Sequence, residues 1–132
     1  MKIYYKSGYK HQLAKYFCIQ TCIHPKTPIF TDYISLGTDG VLMIKRGYAW
    51  DGASGPTYDT KSCMRASLVH DALYQLIREG HLSPNHRKDA DEHLYNICVE
   101  DGMLKCRAWL WKKAVNLCGN LANKPRKTNT AP

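Results

Sequence analysis

Two glycines, Gly80 and Gly102, constrain this chain most, because they cut its second half into three stretches of helical period. From about residue 61 to 79, Ala66, Val69, Leu73, Leu76 and Ile77 recur at helical spacing, and Gly80 is a good helix stop. Ser83-Pro84 opens the next helix, with serine as N-cap and proline in the first turn. Ala90, Leu94, Ile97 and Cys98 give that helix one apolar face before Gly102 closes it. A third helix is expected from about 105 to 121, with Ala108, Trp111, Val115 and Cys118 on one stripe. Trp109 lies near the opposite side from Trp111, so one indole belongs to the core and the other is expected to be exposed.

The first half reads as strands and loops. Residues 28 to 36 are rich in β-branched and aromatic types and predict a strand. Gly37-Thr38-Asp39-Gly40 is a turn, its Asp-Gly pair a strong hairpin signal, and Val41-Leu42-Met43-Ile44 resumes a strand that ends near Arg46-Gly47. The segment from Leu13 to Ile23 is ambiguous between strand and helix. Residues 47 to 59 hold three glycines and a proline, which argues against regular structure and for a shaped loop placed just before a helix. The fold class expected is α+β, a small N-terminal antiparallel sheet or β-hairpin followed by a three-helix core. The 132 residues fit one domain, expected over 1–122, with residues 123–132 a basic, polar tail expected to be disordered.

The formal net charge is +8, from 19 Lys+Arg against 11 Asp+Glu, which draws the surface to anions such as phospholipid headgroups, nucleic acid or acidic proteins. No zinc-finger spacing or aromatic RNP pattern is present, so no specific nucleic-acid partner is expected. The six cysteines include no C-x-x-C pair, which disfavours a zinc ribbon and leaves the redox compartment open. The N-terminal residues lack the apolar run of a signal peptide, and no stretch reaches the length of a membrane span. If the protein leaves a cell, lysis or a separate exporter is expected to release it.

The residues able to do chemistry gather around His70. His70 and Tyr74 are four apart and share a helix face, while Asp71 projects about 100° round from His70. They border the stripe of Val69, Leu73 and Leu76, where an imidazole needs a partner for its second nitrogen. Asp91, bordering the apolar face of the next helix, is the best candidate: in an antiparallel helix pair it approaches His70 and fixes its tautomer. The alternative for Asp91 is a surface ion pair with Arg87 at i, i+4, worth under about 0.5 kcal/mol. The glycine-bearing loop could turn backbone carbonyls toward one point, which with Asp71 makes a hard oxygen set suited to calcium, or it could aim an N–H at an oxyanion.

The order of Trp50-Asp51-Gly52-Ala53-Ser54-Gly55-Pro56, then His70-Asp71-Ala72-Leu73-Tyr74, then Arg87-Lys88-Asp89-Ala90-Asp91-Glu92-His93-Leu94 resembles the phospholipase A2 superfamily, especially its compact bacterial members. It is similar, more closely still, to a family of small phage and prophage proteins of unassigned function that carry a D-G-A-S-x-P loop, an H-D-x-L-Y helix and an A-D helix in this order. The resemblance covers roughly residues 28 to 118. It implies a phospholipase A2-like three-helix core, with His70 as the general base that activates water and Asp91 orienting it. Tyr74 would hydrogen-bond within the dyad network, Asp71 would bind calcium, carbonyls near Trp50, Gly52 and Ser54 would complete the metal site, and the Gly52 N–H could serve the oxyanion. Where secreted phospholipases A2 place a cysteine near the His-Asp pair, this chain has Ser67. The implied function is calcium-assisted ester hydrolysis of a phospholipid by a phage protein acting near a host envelope. The implied partners are a phospholipid membrane surface and phage structural proteins, and the implied location is the virion or the infected cell.

Two other readings stand beside this one. A zinc hydrolase would draw on His70, Asp71, Asp91 and His93, but the members of each pair point to different helix sides and no H-E-x-x-H is present. In a non-catalytic virion, assembly or host-interaction protein, the His-Asp core would be a buried polar network that fixes the helix pair. An open cleft beside His70 separates the enzyme from the scaffold.

Overall fold

The computed structural model describes residues 5–6, 11–50 and 61–122, with side-chain surroundings defined over 12–50 and 64–114. The chain runs through seven short strands, β1 (Tyr5–Lys6), β2 (His11–Leu13), β3 (Phe17–Gln20), β4 (Ile29–Phe30), β5 (Ile34–Leu36), β6 (Val41–Ile44) and β7 (Ala49–Trp50). Three α-helices follow, α1 (Lys61–Arg78), α2 (Arg87–Glu100) and α3 (Lys105–Ala122). The architecture is α+β, as the pattern predicts. The strands make two antiparallel sheets, one ordered β1-β2-β7 and the other β3-β6-β5-β4.

The second sheet is a meander held by turn chemistry. Gly37 to Gly40 joins β5 to β6, with the Gly37 N–H donating to Val41 at 3.1 Å and Gly40 at φ 85°. A side chain on Gly40 would sit 2.7 Å from the Thr21 carbonyl oxygen, so both the left-handed backbone and the close approach of the chain just after β3 demand glycine. The ambiguous segment 13–23 holds no helix: it carries the end of β2 at Leu13 and then β3, which pairs with β6 from Phe17↔Ile44 to Gln20↔Val41.

Two expectations need correction. The run from 28 to 36 is not one strand: Thr31 breaks it, its hydroxyl donating to the Ile34 carbonyl at 2.9 Å and accepting the Ile34 N–H at 3.0 Å. A threonine that satisfies backbone groups locally competes with the ladder and makes a tight turn inside a β-prone segment. Nor is the stretch after Gly47 wholly irregular, because Ala49–Trp50 pairs with β2 at Gln12↔Ala49 and His11↔Trp50. That pairing comes from a distant strand, which local composition does not register. The rest of the expected loop, residues 51–60, and the tail 123–132 lie outside the described residues.

The helix boundaries follow the glycines. At Gly80 (φ 82°) the His81 N–H donates to Leu76 at 2.9 Å and the Gly80 N–H to Ile77 at 3.1 Å, a Schellman closure of α1. Gly102 (φ 104°) closes α2 the same way, through Met103 to Cys98 at 2.9 Å and Gly102 to Val99 at 3.1 Å. Ser83 caps as expected, its hydroxyl accepting the Asn85 N–H at 3.2 Å, but it caps a single 3-10 turn, Pro84–His86, that leads into α2.

One apolar core joins sheets and helices. Leu36, Leu42 and Ile44 from the second sheet, Leu68, Val69, Leu73 and Leu76 from α1, Leu94 and Cys98 from α2, and Trp111 from α3 are all buried in it. Each large side chain so buried contributes roughly 1.5–3 kcal/mol. Arg65, near the start of α1, reaches Asp101 and Glu100 at the end of α2, with the Arg65 Nε donating to Asp101 Oδ2 at 3.0 Å. This fork sets the two helices antiparallel and in register. Among the described residues no helix is long and apolar enough to cross a membrane.

Candidate functional site

The seam between α1 and α2 brings His70 and Asp91 together. His70 Nε2 lies 2.8 Å from Asp91 Oδ1, and the Tyr74 hydroxyl donates to the same oxygen at 2.9 Å. Because α1 and α2 run antiparallel, residues 70 and 74, one turn apart, face one position on the partner helix. The His70 and Tyr74 rings lie 4.1 Å apart between centroids, which stiffens the imidazole against rotation. Asp91 is only 2% exposed, so it belongs to the interior and not to a surface pair with Arg87.

A carboxylate accepts and does not donate, so the His70 nitrogen facing Asp91 carries the proton. Its Nδ1 then holds the free lone pair when the ring is neutral. This Nδ1 faces Asp71, whose nearer carboxylate oxygen lies 3.8 Å away, too far for a hydrogen bond but close for charge. The Asp71 side chain is 37% exposed, whereas that of His70 is 9% exposed. The pair thus spans the boundary between core and surface, with the basic nitrogen on the side of Asp71.

Electrostatics follow from this placement. Burial works against a charged imidazole, but the Asp71 and Asp91 carboxylates together outweigh it, and His70 is held above the ordinary imidazole range. Burial first, and then the Asp91 charge, push the Tyr74 phenol well above its ordinary range, so it stays a hydrogen-bond donor at any physiological pH. The second Asp91 oxygen, Oδ2, is buried with no hydrogen-bond partner among the described residues. An orphaned carboxylate oxygen is costly in an interior.

The Trp50 side chain takes a part that the sequence reading did not assign to it. Its indole is buried and donates to the Ser67 hydroxyl at 3.0 Å, while Ser67 donates on to the Met64 carbonyl at 2.9 Å. Ser67 stands one turn before His70 on α1. The chain therefore sets out toward Gly52 and Ser54 from a point pinned beside the dyad, although those two residues lie outside the described region. The signal for this pin was a lone hydroxyl on the apolar side of α1. Tyr48 adds a second tie, its hydroxyl donating to Gln75 at 3.1 Å.

Of the four side chains weighed for zinc, Asp71 and Asp91 lie at opposite nitrogens of His70, while His93 turns to the segment after β3 and accepts the Cys22 N–H at 3.2 Å. Burial holds His93 below the ordinary imidazole range. That inter-element contact was not legible in the sequence, nor was the Arg65 fork, for which the acidic Glu100-Asp101 pair was the available signal. Among the described residues no group of three or more His, Cys, Asp or Glu side chains is arranged to hold a metal. Asp71 remains a hard oxygen donor beside the basic nitrogen, which fits a hard cation as one ligand of several.

A family described as a protein of unknown function, DUF1353, matches residues 29–115, which take in α1, α2 and every member of the dyad network. No curated protein and no solved structure matches the chain.

Proposed function

The chain belongs to the DUF1353 family, whose function is unknown, and we propose that it is a phospholipase A2-like ester hydrolase in which His70 activates water. The observation that carries this reading is the 2.8 Å contact of His70 Nε2 with Asp91, which leaves Nδ1 on the side of Asp71. Neutral His70 takes a proton from water at Nδ1 as the water oxygen attacks the ester carbonyl carbon. Asp91 stabilises the imidazolium that forms, and Tyr74 keeps the carboxylate aimed at Nε2. The tetrahedral intermediate expels the alkoxide, which takes the proton back from His70 Nδ1, giving a carboxylic acid and an alcohol. Asp71, with carbonyls of Trp50, Gly52 and Ser54, would hold a calcium ion, which supplies positive charge for the ester carbonyl.

The phospholipid as substrate, and the phage setting with it, rest on the motif resemblance and on the excess of basic residues. A second reading is favoured by the low exposure of His70: a non-catalytic host-interaction or virion protein that keeps the dyad as a buried polar network. The test is release of fatty acid from mixed-lipid vesicles with and without calcium. His70→Ala should lower the rate by at least about a hundredfold. Equal, background-level release by both proteins would sink the hydrolase and leave the scaffold.

A further inference from the structure

We infer that the outward face of α3 is a docking surface for an anionic phospholipid membrane. The two sides of this helix differ sharply. Ala108 and Trp111 are buried in the core, whereas Lys105, Cys106, Trp109, Leu110 and Lys113 are exposed on the opposite side. Trp109 is 49% exposed and Leu110 57%, and Leu104, just ahead of the helix, is 73% exposed. Exposed Trp and Leu side by side on one helix face are a cost in water without a partner.

Charge selects the partner. Asp101 is the last acidic residue of the chain, so every charged side chain of α3 is Lys or Arg. Lys105 and Lys113 flank the apolar pair, with the Lys113 ammonium 5.4 Å from the centre of the Trp109 ring. An amphipathic helix with cations bordering Trp and Leu lies in the headgroup plane, its indole at the polar–apolar boundary and its lysines on phosphates. A protein partner would have to offer both an apolar pocket and acids around it; an anionic bilayer offers both everywhere on its surface. The inference deepens the hydrolase reading, on which it rests only for the choice of lipid, by giving the substrate surface a place on the molecule.

Trp109 provides its own readout, because the other two tryptophans, Trp50 and Trp111, are buried. The experiment uses the full chain without calcium, so that binding is read apart from turnover. Vesicles of phosphatidylcholine with phosphatidylglycerol should shift tryptophan emission to the blue, and brominated lipid should quench it. Pure phosphatidylcholine should do so far less, and added salt should weaken the effect. Each single reversal, Lys105→Glu or Lys113→Glu, should weaken partitioning about fivefold or more. Trp109→Ala with Leu110→Ser should abolish sedimentation with vesicles while leaving the far-ultraviolet circular dichroism unchanged. His70→Ala should bind as wild type does, whether or not wild type hydrolyses the lipid. No emission shift with phosphatidylglycerol vesicles, or a Trp109 already shielded from acrylamide in a self-associated protein, overturns the assignment. Failure of hydrolysis with binding intact overturns only the enzyme.

Discussion

Helices α1 and α3 are each 18 residues long, yet one is enclosed and the other one-sided. Between Met64 and Ile77, Asp71 alone is not buried in α1, because the sheets cover one flank and α2 the other. Every polar group on such a helix must find a specific partner, and Arg65, Ser67, His70, Tyr74 and Gln75 all do. Helix α3 packs mainly on α2 and leaves its polar and apolar residues to solvent on the far side. A buried helix with polar residues is forced into a defined network, while a surface helix keeps freedom to meet a partner. The dyad belongs to the first kind of element and the proposed membrane face to the second.

The comparison breaks most readily at Asp91. Replacing it with Ala removes the acceptor for two buried donors and should cost about 3 kcal/mol in urea unfolding. A loss near that of an exposed α3 side chain would show that α1 is not the enclosed element described here.

The pH dependence of stability sharpens the same point. His70 is held above its ordinary value of 6.5, so its pairing contributes fully below that value and is lost as pH rises through the raised one. Wild-type stability should therefore decline across that interval, and His70→Gln should flatten the decline. Nuclear magnetic resonance titration of the His70 ring gives the midpoint directly, and a midpoint at or below 6.5 contradicts the arrangement.

Trp50→Phe keeps the ring and removes one buried hydrogen bond to Ser67, at an expected cost of about 1 kcal/mol. It should also lower hydrolysis more than it lowers stability, since the pin holds the chain beside the dyad. At the small end, Leu110→Ser on the open face of α3 should change stability by no more than about 0.5 kcal/mol in either direction.

Much of the helical half was legible in the residues themselves. Gly80 and Gly102 close helices because a left-handed residue is needed where the last carbonyls are satisfied, a condition met within six residues of chain. The partnership of His70 with Asp91 was also legible, because helical spacing placed each at the edge of an apolar face and a short connection set the helices side by side. The strands were read less well. Thr31 turned a β-prone run back on itself with its own hydroxyl, and Trp50 joined a strand whose partner lies near the N-terminus.

What the order of amino acids determined alone was therefore local: helix ends, the Asp-Gly hairpin turn, and which face of each helix is apolar. The tertiary structure alone decided the pairing of β7 with β2, the indole bond to Ser67 and the turn of His93 toward Cys22. The physical reason is range. Capping and amphipathic patterning are satisfied by neighbours along the chain, whereas a buried donor takes whichever acceptor the packed core brings within 3 Å, whatever its distance in sequence.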